Sequence, residues 1–233
     1  MFHCDGCGLC CRAVGLTEAY RHLDRGDGIC TYLDTRTNKC SIYDHRPEIC
    51  RVDGLYESLF KEHMSLDDYY ELNYNACETL KGLERQKMSG IKSALEEKFV
   101  EIFEYRPWLD DASWVRNAVD YICQGNSRKE DVIAIVDTSI SSKAKSGLVL
   151  TVDSVCVKDS ANSTTKFMAK YEDIDYTFIN EDRFLGVDIT ALELNMKYGT
   201  QYRISIDQIS KRRLMEFLDY ASSLYQEEDE LEW

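Results

Sequence analysis

Four of the ten cysteines in this 233-residue chain fall in one eight-residue run, Cys4-Asp5-Gly6-Cys7-Gly8-Leu9-Cys10-Cys11. Cys30, Cys40, Cys50 and Cys77 follow. Thiols this dense must be organised around metal or joined as disulfides, and either solution dictates a loop-rich fold. Cys4-x-x-Cys7-x-x-Cys10 contains two overlapping Cys-x-x-Cys units, a spacing that lets two thiolates reach one ion across a tight turn. Gly6 and Gly8 suit that turn, since glycine tolerates positive φ and lets backbone N–H groups approach a sulfur. Cys10 and Cys11 chelate a single tetrahedral ion poorly, because successive side chains diverge. The pair is expected to send one sulfur to each of two sites, or to use one as a bridge. Cys4, Cys7, Cys10, Cys11, Cys30, Cys40, Cys50 and Cys77 together would fill two four-sulfur sites, and two zinc ions are the expected occupants.

A disulfide framework is the competing solution. No charged segment followed by an apolar one opens the chain, because residues 1–11 already hold the cluster. A reducing, cytoplasmic setting is therefore expected, and there dense cysteines serve as metal ligands. Arg12 follows Cys11 and Arg51 follows Cys50, useful neighbours for an anionic thiolate site. Arg46-Pro47 suggests a helix start, with Cys50 in a first turn whose dipole lowers its thiol pKa. His3 and His45 lie near ligands in sequence and would serve in a Cys₃His site, but eight sulfurs suffice without them. Cys123 and Cys156 read as core residues, since free cysteine is among the most buried types.

The pattern Cys-x-x-Cys-Gly-x-Cys-Cys-Arg, followed by Gly28-x-Cys30, Tyr32-Leu33, Cys40-x-Ile42-Tyr43, Arg46-Pro47-x-x-Cys50-Arg51 and Asn75-Ala76-Cys77, resembles the YkgJ-type cysteine-cluster proteins. Those are described as zinc- or iron-chelating, and their relatives include flagellin lysine methylases. The resemblance covers about residues 3–80. It implies a metal or iron–sulfur site, with Cys77 as the closing cysteine, and no defined activity.

Hydrophobic residues make up 44% of the chain, enough for a globular core. No apolar run approaches the ~18–20 residues of a membrane span. The net charge of -14 argues against nucleic acid, which needs basic patches, and against anionic lipid. Glu227-Glu228-Asp229-Glu230 reads as part of a solvated acidic tail, residues 226–233.

An α+β organisation follows. Residues 1–80 read as a cysteine-nucleated, metal-dependent domain with helical stretches at 55–60 and 66–74, the second capped by Ser65. Residues 81–127 read as a connector, a hairpin of two helices. Ile91, Leu95, Phe99 and Ile102 mark the first, which ends before Pro107. The second runs from the Asp110-Asp111 cap to about Cys123 and stops at Gly125-Asn126. From Asp131, β-branched runs predict strands at 132–136, 147–152, 154–158, 166–171, 175–179, 183–189 and 202–206. Turns are expected at Asp153-Ser154 and Asn180-Glu181-Asp182. Asp207 is expected to cap a last helix with Leu214, Phe217, Leu218, Ala221 and Leu224 on one face. Six or seven strands and a helix match the layout of a pleckstrin-homology-like barrel. The run Asp137 to Thr151, with its Gly147-Leu-Val-Leu-Thr strand, resembles the opening of bacterial PH-like domains. That resemblance covers about residues 128–225 and implies protein or ligand binding rather than catalysis. Lys143 and Lys145 read as a solvated loop.

No phosphate-cradling glycine loop, Gly-x-Ser-x-Gly elbow, His-Glu-x-x-His or dinucleotide fingerprint is present. Any chemistry would have to occur at the metal. Two functions of different class remain. One is a zinc-stabilised, non-enzymatic module with a protein partner. The other is an iron–sulfur or metal-dependent enzyme acting on a protein substrate.

Overall fold

The computed structural model describes residues 1–35, 37–107, 109–159, 166–184 and 187–226, with side chains described for all of these but 182–184 and 187–189. The expected acidic tail beyond residue 226 lies outside the described residues. Helix and sheet are mixed in an α+β arrangement, and contacts divide the chain into Met1–Lys87 and Met88–Trp233.

In the first unit, short 3₁₀ turns precede a two-stranded hairpin, β1 (Leu33–Asp34) and β2 (Lys39–Cys40). A short helix α1 (Val52–Leu55) leads through a π turn, Tyr56–Phe60, to α2 (Leu66–Phe103). Ser65 caps α2 as its sequence predicts: its hydroxyl accepts from the Asp68 N–H at 3.2 Å and donates to the Asp68 carboxylate at 2.7 Å. The stretch read at 66–74 and the connector helix marked by Ile91, Leu95, Phe99 and Ile102 are one helix. No proline interrupts residues 75–84, and the propensity cost of Gly82 and Gly90, about 1 kcal/mol each, does not break it. The helix ends where Glu104 adopts φ +64, ahead of Pro107.

Among the described residues the two helices expected in a hairpin send their apolar faces into different clusters. The apolar face of α2, with Ile91, Leu95, Phe99 and Ile102, joins the larger core of the second unit. The next helix, α3 (Ala112–Asn117), with its following π turn Ala118–Ile122, packs into a separate cluster. Asp111 caps α3, accepting from Ser113 and Trp114 N–H groups at 2.8 and 3.1 Å. Gln124 and Gly125 end the helical run with positive φ, and the Gly125 N–H returns to the Val119 carbonyl at 2.9 Å.

The second unit holds two antiparallel meanders. β3 (Val132–Asp137), β4 (Gly147–Thr151), β5 (Ser154–Lys158) and β6 (Lys166–Lys170) form the first. β7 (Ile174–Phe184), β8 (Val187–Met196) and β9 (Gln201–Ile204) form the second. Among the described residues no pairing joins the two sheets, so they are open and not the closed barrel expected. They share one core: Leu148, Leu150, Val155 and Val157 face it from one sheet, Leu192, Leu194 and Ile204 from the other. The opposite face of the first sheet, with Val149 and Cys156, packs on the α3 cluster. Burial on both faces explains why these strands read as continuous apolar runs.

Two local expectations fail. Asn180, Glu181 and Asp182 lie inside β7, paired with Ala191, Thr190 and Ile189, because the long β7–β8 ladder continues through them. Asp207 is 96% exposed at its side chain, and the last helix, α4 (Lys211–Gln226), is preceded by Ser210, whose hydroxyl accepts from the Arg213 N–H at 3.4 Å. The predicted apolar face of α4 is confirmed, with Leu214, Phe217, Leu218 and Ala221 fully buried.

Candidate metal centre

The cysteine run is shaped by its glycines. Gly6 has φ +67 and Gly8 has φ +78, and a Cβ at Gly8 would press on the Asn38 carbonyl oxygen at 3.0 Å. The Gly8 carbonyl accepts the Cys11 N–H at 3.0 Å, turning the chain into a 3₁₀ turn at Cys10–Arg12. The Cys11 carbonyl then accepts the Cys30 N–H at 2.7 Å. Val14, Leu23, Cys30 and Leu33 form the small core beneath. Cys40 closes β2 opposite Leu33, and Cys50 ends the 3₁₀ turn Glu48–Cys50.

Cys77 is carried on α2, and the N-terminal run is bound to that helix. Asp5 pairs with Lys81 at 2.8 Å, one turn past Cys77. Phe2 stacks on Tyr74 with centroids 4.5 Å apart and meets Tyr70 edge-on. The Phe2 N–H donates to Asp53 at 2.9 Å, and the Tyr70 hydroxyl also donates to Asp53. Sequence reading missed this anchorage. Its only local signal is the i, i+4 spacing of Tyr70 and Tyr74 on one helix face.

The thiols perturb one another in two overlapping neighbourhoods. Burial raises the Cys77 thiol pKa, and the charges of Cys10, Cys4 and Cys7 raise it further. Burial also raises that of Cys50, with Cys30, Cys10 and Cys40 adding to it and Arg46 opposing. The expectation of a dipole-lowered Cys50 is thus overturned: Cys50 closes a single 3₁₀ turn and does not open a helix. Cys11 is raised by its hydrogen bond to Cys10, then by burial and by Cys30 and Cys40. Cys10 is lowered to about 6, chiefly by the hydrogen bond from Cys11, with backbone N–H groups and Arg46 assisting.

Arg46 is the cation that acts on these sulfurs. Its guanidinium lies 3.8 Å from the Tyr43 ring centroid and its Nε donates to the Tyr43 carbonyl. Arg12 instead braces the hairpin, donating to the Thr35 carbonyl at 3.2 Å and to Asn38 Oδ1 at 2.9 Å.

All ten cysteines are free thiols. Among the described residues no three His, Cys, Asp or Glu side chains already converge as a metal-holding group. The donors nonetheless fit a thiophilic ion: eight unpaired sulfurs lie in one small unit, and none is sealed in its core except Cys30. Thiolate-rich donor sets select zinc or iron–sulfur clusters.

Fold and donors define a thiol-dense unit. Residues 3–78 match a family model described as "CxxCxxCC: Putative zinc- or iron-chelating domain". No curated protein and no solved structure matches the chain. Among the described residues no helix is long and apolar enough to cross a membrane.

Proposed function

We propose that the chain is a two-zinc thiolate protein whose second half is an interaction module. Cys4, Cys7, Cys10 and Cys77 would hold one ion, and Cys11, Cys30, Cys40 and Cys50 the other. The observation that carries this reading is the division of electrostatic neighbours: Cys77 feels Cys4, Cys7 and Cys10, whereas Cys11 feels Cys30 and Cys40 as well as Cys10. Cys10–Cys11 is then the branch point between two quartets. Bound zinc would cross-link loops that bury little apolar surface and supply their folding energy. A closed four-sulfur site keeps no open position, so its role is structural.

Residues 128–225 are read as a PH-like module for a protein partner, in a cytoplasmic protein. Support comes from the four- and three-stranded meanders followed by an amphipathic helix, and from the charge of -14, which disfavours nucleic acid and anionic lipid.

Elemental analysis of anaerobically purified protein, taken with its visible spectrum, tests the metal assignment. Two zinc ions per chain in colourless protein are expected. One ion with four titratable thiols would sink the two-site reading. A brown, iron-containing protein would replace it with the iron–sulfur enzyme.

A further inference from the structure

The N-terminal peptide lies along one stripe of α2. Tyr70, Tyr74, Cys77 and Lys81 recur at i, i+4, i+7 and i+11, which places them on a single face of that helix. Phe2 stacks on Tyr74 with centroids 4.5 Å apart and meets Tyr70 edge-on at 5.7 Å. The His3 N–H donates to the Tyr74 hydroxyl at 3.3 Å, and the Asp5 carboxylate pairs with the Lys81 ammonium at 2.8 Å. His3 and Asp5 are thus tied to points on either side of Cys77, and Cys4 is the residue between them. A rise of about 1.5 Å per residue puts Tyr74 and Lys81 about 10 Å apart along the helix axis. Residues 3 and 5 lie at most about 7 Å apart, and the Tyr74 and Lys81 side chains cover the difference. While both ties hold, Cys4 stays over the turn that carries Cys77.

The same ties reach further ligands and the start of the chain. Asp5 Oδ1 accepts the Cys7 N–H at 3.3 Å while Oδ2 meets Lys81. The Phe2 N–H donates to Asp53, which also accepts from Tyr70.

We propose that Phe2 and Asp5 are positioning residues that clasp the N-terminal peptide onto α2, and that the thiophilic ion shared by Cys4 and Cys77 is the exchangeable one of the two. This rests on the two-quartet reading above and adds which ion leaves and what holds it. Every contact of the clasp is non-covalent. Cys4, Cys7 and Cys10 are exposed and Cys77 is half-buried, whereas Cys30 is buried and Cys11, Cys40 and Cys50 are half-buried. An incoming donor therefore reaches the first quartet directly. Peeling residues 2–5 from α2 lifts Cys4 away, and the incoming ligand takes its place with the coordination number unchanged. The second quartet has no such free strand. Its Cys30 donates its N–H to the Cys11 carbonyl and packs with Val14, Leu23 and Leu33.

The test uses the full chain loaded with zinc and challenged with an excess of a chromophoric zinc chelator, whose absorbance counts each ion released. Wild type should release its two ions in a fast and a slow phase. Phe2→Ala should speed the fast phase roughly two- to ten-fold, the range an aromatic pair supports. Lys81→Ala should speed it by up to about five-fold. Neither should change the slow phase. Asp5→Lys combined with Lys81→Asp should exchange more slowly than Asp5→Lys alone, a rescue that a general loss of stability would not show. Variants whose phases both match wild type, or both accelerate alike, would overturn the proposal and leave the two-ion reading intact. Two ions leaving in a single phase, or acceleration confined to the slow phase, would overturn the assignment of the exchangeable ion. A wild-type chain that releases one ion would sink the two-ion reading, and the clasp then stands or falls on whether Phe2→Ala speeds that release. A chain that takes up no zinc would overturn both.

Discussion

Stripping the metal should unfold the cysteine-rich unit and leave the β-rich unit intact. In Met1–Lys87 the buried apolar side chains among the described residues are Val14, Leu23, Leu33 and Tyr69, with Cys30 beside them. At about 1.5–3 kcal/mol each, the four non-cysteine residues contribute roughly 6–12 kcal/mol. A structural zinc contributes about 10–16 kcal/mol at neutral pH, so each ion rivals the whole apolar core of this unit. The β-rich unit differs, with Leu95, Phe99, Leu148, Leu150, Leu192, Leu194 and Phe217 all fully buried. Hydrogen exchange with and without excess chelator reads both units at once. A loss of 10 kcal/mol corresponds to roughly 10⁷-fold in protection, so amides such as Cys30 N–H, which donates to the Cys11 carbonyl, should exchange at unfolded-chain rates. Strands β4 and β5 should keep their protection. Cys50→Ser should act in the same direction by removing one thiolate. Retained protection across residues 10–50, in protein shown by elemental analysis to be metal-free, would refute the reasoning and make the small apolar cluster sufficient.

Phe217→Ala should destabilise the β-rich unit by about 3–5 kcal/mol, because the ring is fully buried and packs edge-on to Phe99 at 5.9 Å; chemical denaturation measures it, and a loss under 1 kcal/mol would mean the core there is loose. Gly147→Ala should cost at least about 3 kcal/mol: φ is +134 and an added Cβ would overlap the Val136 carbonyl oxygen inside the β3–β4 ladder. A folded variant with an unshifted thermal midpoint would contradict that geometry. Asp137 is raised by burial, but hydrogen bonds from Ser139, from the Ala144 N–H and from Trp114 outweigh this and hold its pKa below the ordinary value. A depressed carboxyl contributes stability above its unfolded pKa of about 3.9 and loses it as pH falls through the lower folded value. Melts of Asp137→Asn between neutral and acid pH should therefore show a flatter acid limb than wild type; parallel curves would refute the assignment.

The elements legible in the sequence were those whose pattern repeats along one segment. Leu214, Phe217, Leu218 and Ala221 announce the buried face of α4. The strand β5 is read at its observed bounds, 154–158. Ser65 and Asp111 announce helix starts because a cap acts on its own next turn. Misreadings arose where a neighbour overrides local preference. Asn180-Glu181-Asp182 has turn chemistry, yet pairing with Thr190 and Ala191 holds it extended. The start of β8 was read as a separate strand and its body at 190–196 was missed. Leu192 and Leu194 face the core from it, while Glu193, 5% exposed, is buried against Arg203 at 3.1 Å. A buried carboxylate is tolerable only with such a partner, and the partner lies on the next strand.

The same distinction separates the two kinds of cysteine in this chain. Spacing alone marks the eight N-terminal thiols as candidate ligands, since Cys-x-x-Cys is a local device. Their grouping depends on what local spacing does not encode. Cys77 approaches Cys4, Cys7 and Cys10 because Phe2 stacks on Tyr74 and Asp5 reaches Lys81 on the same helix. Burial of Cys123 and of Cys156 was equally legible, each from its own apolar neighbours. That they share one cluster was not, because it requires α3 to lie on the Val149 face of the first sheet, at the register that puts Cys156 opposite Val149 and Met168. Periodicity states which face a side chain occupies. Only packing decides what faces it.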